Sequence, residues 1–518
     1  MEQKNKARIC IPVCVQHVYE IASAVARASE HSDFVELRLD YLDKAELGTV
    51  QEELANILRD SLRPVIVTLR PAEQGGRRAL SLKTRMGMDL SFSDALRDNA
   101  SLLDIELDVA QILTKASEYL APMPWDRIIC SHHDIIGLPA DLEAIYHRMV
   151  STKARILKIA VQADEITDCL PMFQLLETAR SDGREMIAIA MGNAGLLTRI
   201  LGPSRGAFLT FGSLDETHST APGQITAVSL RDVYRIHQID RETEIMGLVG
   251  EQVAHSMSPE MHNAAFAAAG LNAVYIPLEV RKLDDFVQRM VHPRTRELEW
   301  NLRGLSITAP HKIDIMKHLD WIDPGALEIG AVNTVVIAGD GLCGYNTDAE
   351  AALAPLQELI DLNETRVAVI GAGGVARALL WSLRKVGAHV TVFARDVEQG
   401  RVTANQFGTD CQALDGARFD EFAVVVNCTP LGTRGLSEDQ SPATARQLKG
   451  AKIAYDLAYN PAETRFLKEA ESAGCECIGG LEMLVAQAVE QFKLWTGRDA
   501  PVDTMKAAAI NALKKKEP

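Results

Sequence analysis

Short apolar runs alternate with amphipathic stretches through the first part of the chain. The runs fall at residues 8–15, 33–39, 64–69, 102–107, 127–130, 155–160, 186–190 and 207–211. Several are β-branched and nearly continuous in apolar residues, as parallel strands covered by helices must be. The stretches between them, such as Val18–Ala28 and Glu52–Arg59, have helix character. Eight β/α units in about 230 residues predict a (β/α)8 TIM barrel, with an open doubly wound sheet as the alternative.

The pattern breaks in the charged segment Gln238–Thr243 and then restarts. Ile245–Gly250 predicts a strand, and Ser258–Gly270 a helix with Pro259 in its first turn. This second α/β stretch runs to about Asn346. Arg366–Ile370 predicts a strand leading straight into a glycine-rich turn and a helix. Further strand–helix units end near Ile478, and helices over 481–496 and 501–515 close the chain.

The 518 residues are 47% hydrophobic and 24% charged, as in an ordinary globular protein of several domains. A net charge of -16 argues against binding nucleic acid or an anionic membrane. Nine cysteines, an odd number without paired CxxC spacing, speak against a disulfide framework or a structural zinc site. Reduced thiols in a cytoplasm fit them better. No apolar run reaches the roughly 20 residues of a transmembrane helix. The first strand begins almost at once, which leaves no room for a signal or transit peptide. The expected partners are small molecules alone, and no metal is expected. The sequence carries no signature of oligomeric state.

Lys158 interrupts the apolar run Arg155-Ile-Leu-Lys-Ile-Ala-Val161. Burial disfavours an ammonium ion, and a neutral amine is what Schiff-base chemistry on a carbonyl requires. A lysine paired with a carboxylate is the other reading. In a barrel, chemistry belongs at the C-terminal strand ends, and polar residues gather there. Glu36 and Arg38 end strand two, on one face. Arg70 ends strand three, and Asp104 and Glu106 lie on strand four. His132 and His133 follow strand five, Arg199 follows strand seven, and Gln224 follows strand eight. His133 is the candidate acid/base, titrating near neutrality. Arg199, Arg38 and Arg70 offer forked donors to a carboxylate and hydroxyls.

The segments Val35-Glu-Leu-Arg-Leu-Asp40, Thr68-Leu-Arg70, Ser131-His-His-Asp134, Leu157-Lys-Ile-Ala160 and Ala221-Pro-Gly-Gln224 resemble type I 3-dehydroquinate dehydratase. The resemblance spans about residues 8–235. It implies that Lys158 forms an imine with the C3 ketone, and that His133 removes a C2 proton and assists loss of the C1 hydroxyl. It implies that Asp104 orients the histidine or balances charge. Glu36, Arg38, Arg70, Arg199, Thr220 and Gln224 match substrate-contact positions. The family usually has Glu-Gly-Gly where this chain has Gln74-Gly-Gly76, and serine where it has Thr220.

Further on, Gly371-Ala372-Gly373-Gly374-Val375-Ala376 follows a strand and opens a helix. Glycines there let a backbone approach a pyrophosphate at the helix N-terminus. The next strand ends in Ala394-Arg395-Asp396. An arginine suits a 2′-phosphate and an acid a free ribose, so NADP leads NAD. Around this motif, His255-Ser256-Met-Ser258-Pro, Ser306-Ile-Thr308-Ala-Pro-His-Lys312, Gly330-Ala-Val-Asn333-Thr, Gly344-Tyr-Asn-Thr-Asp348, Asp456-Leu457-Ala-Tyr459-Asn-Pro and Gly480-Leu-Glu-Met483-Leu-Val-Ala-Gln487 are similar to shikimate dehydrogenase over about residues 244–518.

That resemblance implies that Ser256 and Ser258 bind a carboxylate, while Thr308, Asn333, Tyr459 and Gln487 contact ring hydroxyls or the carboxylate. Lys312 and Asp348 become the catalytic pair at the reacting C3 oxygen, where ketone reduction needs a proton. Leu457, Gly480, Met483 and the loop holding Thr429 line the nicotinamide of NADPH. The family's Asn-Arg-Thr is here Ala394-Arg395-Asp396.

The domains expected are a dehydratase barrel over 1–238, a substrate lobe over 243–350 completed by the helices of 497–518, and a Rossmann lobe over 351–496. Joined, the halves resemble the bifunctional dehydroquinate dehydratase–shikimate dehydrogenase family, which takes 3-dehydroquinate through 3-dehydroshikimate to shikimate. The rivals are a Schiff-base barrel fused to a quinate/shikimate dehydrogenase of broader specificity, and a non-catalytic regulator that binds the same metabolites.

Overall fold

The computed structural model describes residues 7–96, 100–117, 123–217, 220–221, 223–254, 256–435 and 437–516. The expected start of the chain and His255 of the serine motif lie outside them. The chain divides into two compact units. One holds residues 1–243 with 278–290 and 297–301, and the other the rest.

In the first unit eight strands form a parallel barrel: β1 (Ile9–Val13), β2 (Phe34–Arg38), β3 (Val65–Thr68), β4 (Leu102–Glu106), β5 (Ile128–Asp134), β6 (Ile156–Gln162), β7 (Glu185–Met191) and β8 (Thr210–Phe211). From β1 to β7 each strand pairs with the next in sequence, and β8 pairs with β1. The β7–β8 seam is closed by a parallel bridge of Met186 with Ala207 and by Phe208 N–H donating to Met186 O at 2.7 Å. The strands are buried almost throughout because apolar residues occupy both faces. The helix Val18–Ser29 shows how the outer ring is written. Its buried Val18, Ile21, Ala24, Val25 and Ala28 repeat at helical spacing, so one stripe faces the barrel.

The second unit has two sheets. The first holds β9 (Glu244–Gly250), β10 (Ala273–Glu279), β11 (Leu302–Ile307), β12 (Trp321–Ile322), β13 (Thr334–Ala338) and β14 (Gly341–Tyr345), in the order β10-β9-β11-β13-β14-β12. The second holds β15 (Arg366–Ile370), β16 (His389–Ala394), β17 (Asp410–Ala413), β18 (Val424–Asn427), β19 (Ile453–Asp456) and β20 (Glu476–Ile478). Its order, β17-β16-β15-β18-β19-β20, is all parallel and reverses direction between β15 and β18. A crevice for a ligand opens at such a switch point, outside the strands' C-terminal ends.

The sequence pattern predicts the helix Leu481–Thr496 as the end of the nucleotide lobe. Yet it buries Val485, Ala488, Phe492 and Trp495 in the core of the first sheet, against Met246, Met261 and Tyr275. Its Met483 enters the core of the nucleotide lobe, and Ala486 packs against that core. A side chain at Gly304 of β11 would collide with the Trp495 ring, so this close seat needs glycine. Among the described residues no helix is long and apolar enough to cross a membrane.

Candidate active sites

Adjacent barrel strands bring the polar strand-end residues together. Lys158 on β6 donates from Nζ to Asp104 Oδ2 at 2.8 Å and to Glu36 Oε1 at 3.3 Å. The lysine is buried, and two carboxylates pair it. Arg70 Nη2 donates to Asp104 Oδ2 at 3.0 Å, and Nη1 to Glu106 Oε1 at 2.8 Å. Thr68 fixes Glu36 through a 3.0 Å hydrogen bond. Arg38 forks onto Asp40, with two bonds of 2.9 Å. Arg199 is buried on the helix Leu196–Leu201 and donates only weakly, to Phe211 O at 3.4 Å. It has no carboxylate partner among the described residues. Gln224 accepts the backbone N–H of Thr220 at 2.9 Å and its hydroxyl at 3.2 Å, tying that loop to itself.

The charges sort these groups. Burial raises Asp104, but the charges of Lys158 and Arg70 outweigh it and bring the carboxyl down to about 2. Burial pushes Glu106 up to about 7, against the opposing charge of Arg70. Burial alone pulls Arg199 down to about 10, the mark of a cation without a counter-ion.

Three expectations about His133 change. It lies within β5, not after it, and it does not titrate near neutrality. Burial, then the charges of Arg70 and Lys158, hold it well below the usual histidine range. Asp104 does not orient it. Arg70 Nη1 meets its Nδ1 at 2.5 Å, and Gln74 Oε1 accepts its backbone N–H at 2.6 Å.

In the second unit Lys312 Nζ donates to Asp348 Oδ2 at 2.6 Å. Asn333 Nδ2 donates to the other oxygen of Asp348 at 2.8 Å. From there a chain of hydrogen bonds runs back to the serine motif. Thr334 donates to Asn333, Gln491 to Thr334, Ser306 to Gln491, and Tyr275 to Ser306. Tyr275 is hydrogen-bonded to Ser258 as well. Ser256 donates to Ser258 Oγ at 3.1 Å, and Tyr459 is hydrogen-bonded to Ser256. Thr308 and Gln487 stand outside this chain. Thr308 is held by its backbone N–H on Val249 O, and Gln487 donates back to Leu484 O of its own helix.

The glycine motif sits at the switch point between β15 and β18. Gly371 has φ +111°, where glycine is favoured, and a Cβ there would lie 3.1 Å from Thr429 Cγ2. Gly373 precedes the helix Gly374–Lys385 and has open space where a Cβ would stand. Ala372 O accepts from Thr403 at 3.2 Å, Val375 packs against the core and Ala376 is buried within it. Thr429 is fixed by Asn427, which is fixed in turn by Asp456. Burial pushes Asp456 up to about 6. A Cβ at Gly480 would lie 2.5 Å from Leu457 O, so those two expected nicotinamide residues meet backbone to backbone. Arg395 is exposed. Asp396 caps the helix Val397–Gln406 through two N–H···Oδ1 bonds of 3.1 Å. The glycine cradle, the helix N-terminus and the free guanidinium fit a dinucleotide with a 2′-phosphate.

Several residues that shape these sites had no expected role. Glu106 shares a strand face with Asp104, two residues away, and that spacing was the available signal. Gln491 lies one helical turn beyond Gln487. Ser306 opens the motif that ends in Lys312, and Tyr275 had no local signal.

Comparisons with known proteins divide the chain in the same way. Residues 9–241 match the family model of type I 3-dehydroquinase. Residues 248–335 match the shikimate dehydrogenase substrate binding domain, 359–467 a putative NAD(P)-binding model, and 480–510 the shikimate 5′-dehydrogenase C-terminal domain. The chain is 33% identical over 520 residues to the chloroplastic bifunctional 3-dehydroquinate dehydratase/shikimate dehydrogenase of Arabidopsis thaliana, covering 96% of this chain and 83% of that one. It is 38% identical over 288 residues to the shikimate dehydrogenase (NADP+) of Methanococcus aeolicus, covering 53% of this chain and 100% of that one. Among solved structures it is similar to dehydroquinate dehydratase and shikimate dehydrogenase from S. pombe, at 25% identity and a TM-score of 0.42, covering 98% and 99% of the two chains.

Proposed function

Since the chain belongs to the family of bifunctional 3-dehydroquinate dehydratase/shikimate dehydrogenases, we propose that its barrel dehydrates 3-dehydroquinate and its second half reduces the product, 3-dehydroshikimate, to shikimate with NADPH. The observation that carries the first step is Lys158, a buried amine framed by two carboxylates at the mouth of a barrel, where the substrate's anionic group meets the unpaired Arg199.

Attack on the C3 ketone needs a lone pair on Nζ, and Asp104 and Glu36 are the nearest acceptors for the departing proton. The protonated imine then draws electrons from C2, which makes the C2 proton acidic. His133 takes that proton and gives one to the C1 hydroxyl. Arg199 receives the carboxylate, and Arg38, Arg70, Thr220 and Gln224 take the hydroxyls.

In the second half Ser256, Ser258 and Tyr459 receive the carboxylate. Thr308, Asn333 and Gln487 read the ring hydroxyls. NADPH supplies the reducing equivalent at carbon, and Lys312, held by Asp348, supplies the proton at oxygen. Arg395 takes the 2′-phosphate, because Asp396 already spends its carboxylate on a helix cap. The motif 371–376 takes the pyrophosphate, with Thr429, Leu457, Gly480 and Met483 around the nicotinamide.

The seat of Val485, Ala488, Phe492 and Trp495 in the first sheet's core supports drawing the domains as 1–238 for the barrel, 243–350 with 481–518 for the substrate lobe, and 351–480 for the nucleotide lobe. Nine free cysteines support a cytoplasmic location, since thiols persist in a reducing compartment. A spectrophotometric assay tests the whole reading. With 3-dehydroquinate as the only substrate, NADPH is oxidised, and faster than NADH. Failure to oxidise either cofactor sinks the coupled reading.

A further inference from the structure

Glu106 Oε1 accepts from Arg70, but its Oε2 is buried without a hydrogen-bond partner among the described residues. That oxygen lies 4.0 Å from His133 Nδ1. The same Nδ1 faces Arg70 Nη1. A guanidinium can only donate, so Nδ1 is the acceptor and the ring proton sits on Nε2. In this tautomer His133 can give a proton through Nε2 but cannot take one. The dehydration proposed above needs both acts. Nδ1 must therefore gain a proton, and Nε2 give one up, before the ring can take the C2 proton. Gln74 holds only the backbone of His133 and has no proton to trade. Glu106 is within reach after a closure of about 1 Å, the kind of tightening that substrate binding brings.

We propose that Glu106 is the proton partner of His133, trading one proton with Nδ1 so that Nε2 alternates between base and acid. The proposal rests on His133 being the acid/base of the dehydration. With Glu106 ionised, Nδ1–H donates to Oε2 and Nε2 keeps its lone pair. Nε2 takes the C2 proton, and the C–H electron pair passes into the iminium to give an enamine. The Nδ1 proton moves to Glu106, leaving neutral His133 with its proton on Nε2. Nε2 then gives that proton to the C1 hydroxyl as Glu106 returns its own to Nδ1, so the ring stays neutral. The C–O bond breaks, its electron pair leaves with the water, and the enamine electrons form the new carbon–carbon double bond and restore the iminium. The C2 proton has left in the water, and the protein holds the protons it began with.

The surroundings suit this exchange. Arg70 just beyond β3, Asp104 on β4 like Glu106 itself, Lys158 on β6, His133 on β5, and Arg85 and Asp89 on the helix Leu82–Ala95 are the charged and titratable groups around Glu106. Burial sets its carboxyl at about 7, while His133 alone resists a second proton. The pair thus carries two protons below about 7 and one above it. Only the one-proton state can accept from C2, so the rate rises through that pH.

The test is Glu106→Gln in the full chain. Its dehydration kcat falls about 10²-fold with little change in KM, and the ascending limb near pH 7 disappears. Borohydride with 3-dehydroquinate still traps an adduct on Lys158, which shows a folded barrel and a competent imine. Glu106→Asp regains part of the rate and the limb. A wild-type kcat and limb in Glu106→Gln overturns the proposal. Absence of trapping in the wild-type enzyme counts instead against the Lys158 reading. If only the Gln variant fails to trap, the 15N shifts of His133 in the wild-type chain decide. Protonation that moves between Nε2 and Nδ1 as pH crosses about 7 supports the exchange. One fixed tautomer overturns it.

Discussion

Lys158 Nζ donates to Asp104 Oδ2 at 2.8 Å, and the carboxylate is wholly shut off from solvent. Neither charge can be relieved by water, so each depends on the other and on the neighbours both share. Glu36 is the second partner of the lysine, and Arg70 the second partner of the aspartate.

Asp104→Asn therefore destabilises the barrel. Removing one partner of a buried pair costs roughly 3–5 kcal/mol, and the remaining bond to Glu36 sets the expectation at the low end, about 3. Pulse proteolysis in urea measures it. The sign with pH follows from the depressed carboxyl. The stability Asp104 contributes is present above about 4 and lost as pH falls through about 2. A variant as stable as the parent at neutral pH contradicts the pairing.

The barrel was legible because every strand is an apolar run bounded by helix-patterned sequence. Lys158 stood out as a cation in the middle of such a run. The titration of His133 was not legible, because burial inside the closed barrel lowers it first, and the charge that adds most to this comes from Arg70, 63 residues earlier. The lobe that receives the helix Leu481–Thr496 was hidden for a related reason. An amphipathic pattern says that one face is buried, not which sheet it meets. The serine motif and Lys312 were each visible. The hydrogen-bond chain through Tyr275, Ser306 and Gln491 that joins them is tertiary.

Lys312→Ala separates the two activities. The lysine is the only cation bonded to Asp348 among the described residues, and it has no part in the barrel. Loss of a positioned proton donor costs about 10²–10⁴-fold in rate. Shikimate oxidation with NADP+ falls by that factor, and dehydration of 3-dehydroquinate is unchanged. Loss of both activities in a folded variant argues against independent sites.

Gly374→Ala reaches the same lysine from the nucleotide side. A Cβ at Gly374 would lie 2.9 Å from Lys312 Cδ and 3.0 Å from Lys312 Cβ. The δ carbon can swing away, but the β carbon moves only with its backbone. Lys312 Nζ then leaves its 2.6 Å bond to Asp348. Misplacing a catalytic group by about 1 Å costs up to about 10²-fold, so kcat for reduction falls at least tenfold. Steady-state kinetics separate this from a cofactor effect. An unchanged kcat with a raised KM for NADPH alone means that Gly374 serves only the nucleotide.

Asp396→Asn tests how Arg395 and its neighbour divide their work. Asp396 caps the helix Val397–Gln406 through Oδ1, and asparagine caps about as well as aspartate. Helix stability is therefore kept while a negative charge next to Arg395 is removed. The site is exposed, so screening limits the gain to about 0.3–1 kcal/mol, or roughly a two- to fivefold lower KM for NADPH. The KM for NADH, which has no 2′-phosphate, stays put. Arg395→Ala gives the opposite result, because a lost charged hydrogen bond of about 1.5–3 kcal/mol raises the KM for NADPH by tenfold or more. Equal changes for both cofactors in Asp396→Asn mean that residue 396 acts on the ribose or on the fold, and that Arg395 reads the phosphate without interference.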